Sequence, residues 1–140
     1  MKLTQSTSVF ALSTLLAVAV FLAINTNAAA QHGFSIPQYE QFHDVLHPLE
    51  HEALPKNDFR QIRNKANELV KLGKAIVAVG VPTGVKDEQK QEFSVGLRKF
   101  DKALAKFRTD AKSGSDAKLK VSYSAVHDSF EMLAGMLPRG

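Results

Sequence analysis

Residues 93–111 read FSVGLRKFDKALAKFRTDA, and in them Phe93, Leu97, Phe100, Leu104, Phe107 and Ala111 follow one another at alternating steps of four and three. That stepping holds a stripe of apolar side chains on one side of a helix, ready to be buried against neighbours. The same walk precedes it in Phe59, Ile62, Ala66, Leu69, Gly73, Ile76 and Gly80, and follows it in Leu119, Tyr123, Val126, Phe130, Leu133 and Leu137. No stretch of comparable length alternates with period two. The pattern predicts an all-α chain.

The breaks between the stripes carry helix punctuation. Gly80-Val81-Pro82-Thr83-Gly84 separates the second helix from the third, and Asp87-Glu88 puts acids into the new first turn. Lys112-Ser113-Gly114-Ser115-Asp116 supplies a stop and then a cap. Before these lies a weaker segment, Pro37 to about Leu54, in which Tyr39, Phe42, Leu46, Leu49 and Ala53 keep the stepping. Pro48 lacks an N–H and is expected to kink or restart that helix. Short connections make neighbouring helices antiparallel. The expected architecture is one antiparallel four-helix bundle over residues 31–140 with a short, Pro-kinked first helix.

With 140 residues, 44% hydrophobic and 23% charged, the chain has the length of a single domain. It contains no Cys. That excludes a disulfide framework, an iron–sulfur cluster, a Cys-based zinc site, a c-type haem attachment and a lipoprotein anchor. Eighteen basic against fourteen acidic residues leave +4, a mild excess that does not point to nucleic acid. Lys2, the apolar run from Val9 to Ile24 and the small residues Ala28-Ala29-Ala30 read as a cleavable signal peptide over residues 1–30. Export to the bacterial periplasm is the expectation.

The chemistry must then come from histidines. His43, His47 and His51 recur every four residues along the first helix, so they share a face at the edge of its apolar stripe. His127 stands at the corresponding edge of the last helix, beside Val126 and Phe130. First and last helices are neighbours in the expected bundle, so the two edges can face each other. Neutral imidazole is a good donor to Cu, Ni, Co or Zn, and a pair spaced by four on one helix is partly organised already. Glu131, one turn after His127, and Glu68 on the second helix are candidates to complete the shell. Met132 and Met136 are ordinary core filler or soft ligands. On a regular helix Met132 lies roughly 140° round the axis from His127, and only a π-bulge would bring them together. Solvated, structurally tolerated histidines remain the plain alternative.

The stretch His47-Pro48-Leu49-Glu50-His51-Glu52-Ala53-Leu54-Pro55 resembles the start of the periplasmic sensor proteins of nickel and cobalt resistance. So do Val126-His127, Phe130-Glu131-Met132 and Ala134-Gly135 near the other end. The resemblance implies ligands at His47, His51, Glu68 and His127, with Met132 as a soft axial partner. More distantly, the chain looks like the cytochrome c′ and b-type four-helix bundles, which would imply a haem b between a first-helix His and His127.

The leading expectation is therefore a periplasmic protein that reversibly coordinates a transition-metal ion for sensing, buffering or resistance. A b-type haem electron-transfer bundle is the first alternative. A non-metal chaperone or interaction module is the other, with Lys99, Lys102, Lys106, Lys112, Lys118 and Lys120 as its contact surface. A membrane-bound partner and a homodimer sharing ligands both fit the first reading. Ser122, Ser124 and Ser129 surround His127, but no Gly-rich elbow accompanies them, so no enzymatic activity is expected.

Overall fold

The computed structural model describes residues 33–138, so the segment read as a signal peptide lies outside the described residues. Within them the chain is all-helical, with four helices and no strand. They are α1 (Pro37–Pro48), α2 (Phe59–Val79), α3 (Lys90–Ser113) and α4 (Asp116–Gly135). None of these helices is long and apolar enough to cross a membrane.

The helix ends form where the sequence supplies the chemistry. Asp58 caps α2 by accepting a hydrogen bond from the Gln61 N–H at 3.0 Å, and Ser115 caps α4 through the Lys118 N–H at 3.3 Å. Gly80 closes α2 at φ 71°, in the left-handed region that a side chain would strain. A 3-10 turn at Asp87–Gln89 leads into α3.

The expected stripes are the buried ones. Ile62, Leu69, Gly73 and Ile76 of α2, Phe93, Phe100, Leu104 and Phe107 of α3, and Tyr123, Val126, Phe130 and Leu133 of α4 are all withdrawn from solvent. Two glycines let backbones approach: Gly73 lies under Leu104 of α3, and Gly96 lies under Met132 and Leu133 of α4. Phe42 of α1 binds the set together, with its ring centroid 5.4 Å from that of Phe100 and 4.8 Å from that of Phe130. Apolar burial of this kind is what a chain without disulfides relies on.

Arg63 anchors the corner between α3 and α4. Its guanidinium donates to the carbonyl oxygens of Asp110 (3.0 Å), Ala111 (2.9 Å) and Gly114 (2.9 Å), and pairs with Asp116 at 2.8 Å. The last carbonyls of a helix have no partner within it, and the α2 side chain supplies one.

Pro48 closes α1 without ending the helical path. Its backbone stays right-handed helical (φ −66°, ψ −28°), and the next five residues, Leu49–Ala53, form a π-helical turn. The Leu54 N–H reaches back five residues to the Leu49 carbonyl at 2.9 Å, and Asp58 does the same to Ala53 at 2.8 Å. A π turn takes in one residue more than an α turn, so every side chain after it is rotated. It begins after His47 and contains His51, the last of the histidine row.

Candidate metal centre

His43, His47 and His51 do form a row. Their ring centroids are 5.3 Å apart from the first to the second and 4.3 Å from the second to the third. His47 and His51 are exposed, whereas His43 is half-buried against Phe34 and Phe130, at 5.5 and 6.3 Å. None of the three is paired with a carboxylate among the described residues. Helical spacing of four accounts for the alignment, and the second and third rings, with the start of the π turn between them, are the closer pair.

His127 is on α4, four residues after Tyr123 and three before Phe130, which both touch the first helical segment. Contacts along the seam between α1 and α4 run in opposite order on the two helices. The Tyr123 hydroxyl donates to the Leu46 carbonyl at 3.2 Å and stands beside the Glu50 carboxylate. Two turns further along α4, Phe130 meets Tyr39, Phe42 and His43, two turns back along α1 from Glu50. His47 lies between Glu50 and His43, and His127 lies between Tyr123 and Phe130. In chain order His47 and His127 thus fall between the same pairs of contacts, and no direct contact joins them among the described residues. The His127 side chain is 27% exposed, and its Nδ1 lies 3.3 Å from the Asp128 carboxylate. A carboxylate can only accept, so this contact is a hydrogen bond in the Nδ1–H tautomer, which leaves the Nε2 lone pair free for a cation.

The other expected ligands sit elsewhere. Glu68 is exposed on the outer side of α2 and pairs with Lys65 at 2.8 Å. Glu131 is exposed on α4. Met132 is half-buried, with its methyl group lying over Gly96 of α3. Among the described residues no three His, Asp or Glu side chains already stand together closely enough to hold a metal ion. Coordination by the set requires side-chain rotation.

Two residues beside the row escape a reading based on helical spacing. Among the described residues, only Tyr39 Oη and Glu50 Oε2 are shielded side-chain oxygens or nitrogens without a hydrogen-bond partner. Both belong to the first helical segment. Burial, with the Glu50 carboxylate beside it, pushes the Tyr123 phenol well above its ordinary pKa, and burial alone does the same to Tyr39. One signal for Glu50 was present: it follows the seam residue Leu46 by four, so the stripe can continue through Glu50 as well as through Leu49.

Charge is segregated. The stretch Pro37–Ala53 carries Glu40, Asp44, Glu50 and Glu52 and no Lys or Arg. Helices α2 and α3 together carry twelve Lys and Arg against four Asp and Glu. A cleft of about 350 Å³ between α2 and α3 is lined by Arg63, Arg108 and Lys112, the wrong sign for a cation. The histidine row lies on the acidic side, where a divalent ion is attracted. Lys99, Lys102, Lys106, Lys112, Lys118 and Lys120 are all exposed.

Comparison of the chain with family models, curated proteins and solved structures finds no match in any of the three.

Proposed function

We propose that this chain is a periplasmic transition-metal-binding protein of the sensing, buffering or resistance type, built as an antiparallel four-helix bundle with a kinked first helix. The observation that carries the reading is the aligned row of His43, His47 and His51, with ring centroids 5.3 and 4.3 Å apart, and His127 on the helix whose Tyr123 and Phe130 touch the same segment supports it. An ion held by His47 and His127, with His51 one turn along and His43 in reserve, ties α1 to α4. Seam contacts in opposite order, and the π turn directly after Pro48, support the bundle and the kink. Phe34, Tyr39, Phe42 and Phe130 already fill the seam below the histidines, which favours a bare ion over a porphyrin. Glu68 joins the set only by leaving Lys65, and Met132 only by leaving its place over Gly96. A role like that of the nickel and cobalt sensors, with a membrane-bound partner reading the bound form, belongs to the same proposal.

The test is a visible absorption titration of purified, untagged protein with Co(II) and Cu(II). The expected result is a ligand-field band that saturates at one ion per chain and is lost in both His47→Ala and His127→Ala. A featureless titration, or a band indifferent to both substitutions, overturns the reading.

A further inference from the structure

We infer that the trench between α2 and α3 is a binding site for a phosphate-bearing anion, met by the side chains of Arg108 and Lys112. Two adjoining cavities of about 350 and 440 Å³ make up the trench, and these two residues line both. Arg63 lines the first as well, and Lys74 the second. Neither cavity is lined by a carboxylate. Glu68 and Asp110 pair with Lys65 and Lys106, outside the trench, and Asp101 takes Lys74. Arg108 and Lys112 are exposed and make no ion pair among the described residues. The trench shares no residue with the histidine row, so this inference stands apart from the metal-binding reading.

The chemistry of the lining selects the ligand. Arg108 precedes Lys112 by four, so their charges stand one turn apart on one face of α3. A carboxylate brings a single negative charge. A phosphate monoester brings about −1.5 to −2 at pH 7 and three strong acceptor oxygens. The guanidinium fork can take two of those oxygens, and the ammonium adds a point charge beside it. The apolar part of the lining is short, with Ala66 and Val70 from α2 and Ala105 and Ala111 from α3. That leaves the trench open to a ligand longer than one phosphate group. No aromatic side chain lines either cavity, so a nucleobase has nothing to stack on. A short chain of phosphates or a phosphorylated lipid headgroup fits both the charge and the shape.

The test measures binding of two probes to purified, untagged protein at constant ionic strength, without added divalent metal. One probe is inorganic tripolyphosphate, followed by calorimetry. The other is phosphatidylcholine vesicles containing phosphatidic acid, followed by co-sedimentation. Wild type is compared with the double variant Arg108→Gln, Lys112→Gln and with a control, Lys99→Gln, Lys120→Gln. The control loses the same charge from exposed positions outside the trench. All four positions are exposed, so both variants are expected to keep the helical circular dichroism of wild type. The expected result is saturable binding that weakens about tenfold or more in the trench variant and within about twofold in the control. Tripolyphosphate binding alone assigns a free phosphate ligand, and vesicle binding assigns a lipid headgroup. Absence of saturable binding for both probes overturns the proposal. So does equal weakening in the two variants, which would reduce the effect to net charge.

Discussion

The hydroxyl of Tyr123 donates a hydrogen bond to the carbonyl oxygen of Leu46 across 3.2 Å, joining residues 77 positions apart. That carbonyl lies in the last turn of α1, just before Pro48. Tyr123→Phe keeps the ring, which packs 5.9 Å from Phe107, and removes only the donor. The expected loss is about 1–2 kcal/mol, read as a lower urea midpoint with an unchanged slope.

Alkaline titration should reveal both tyrosines at once. Tyr39 and Tyr123 are the only two in the chain, and both are buried with phenols raised well above the ordinary value. The folded state keeps these protons while the unfolded state releases them above about pH 10, so this contribution is fully present below that pH and is lost as pH rises beyond it. Phenolate absorbance near 295 nm is expected to appear together with the loss of helical circular dichroism. Independent, earlier ionisation of either tyrosine would contradict its burial.

Arg63 serves three backbone carbonyls and one carboxylate at the α3–α4 corner. Its side chain is 28% exposed, so water recovers part of what is lost on removal. Arg63→Ala is expected to cost about 1–3 kcal/mol in urea unfolding. Arg63→Lys should recover little, because an ammonium cannot span the forked set of acceptors.

The two seam glycines should respond differently to a methyl group. A Cβ on Gly73 would stand 2.6 and 2.7 Å from the two methyls of Leu104, a residue with no exposure and no room to retreat. Gly73→Ala is expected to destabilise by about 1–2 kcal/mol, overpacking exceeding the gain in helix propensity. At Gly96 the nearest atom is the free end of Met132, half-buried and flexible, with Leu133 next at 2.9 Å. Gly96→Ala should lie within about 1 kcal/mol of wild type by thermal melting.

Much of this fold was legible because side-chain period and helix geometry are the same fact. Phe93, Phe100, Leu104 and Phe107 announce their buried face by spacing alone, and Asp58 and Ser115 announce their caps. Pro48 was legible as a disturbance but not as a π turn. A missing N–H says which hydrogen bond cannot form and leaves open which register replaces it. The histidine row was visible for the same periodic reason. The shielding of Glu50 was not, because it lies beside Tyr123, contributed from far along the chain. Glu68 and Met132 were candidates by residue type as well as by resemblance; Lys65 lies one turn before Glu68 on the same helix, whereas the place of Met132 over Gly96 is a tertiary fact that no short motif contains.

The segregation of charge makes the molecule an electric dipole. Near a negatively charged surface it is expected to experience a torque before any contact that turns the basic helices α2 and α3 toward that surface. The exposed Asp44, His47, His51 and Glu52 of the acidic segment are then expected to stay open to the solution. A cation-exchange matrix should therefore immobilise it while leaving that acidic, imidazole-bearing side accessible to ions in the mobile phase.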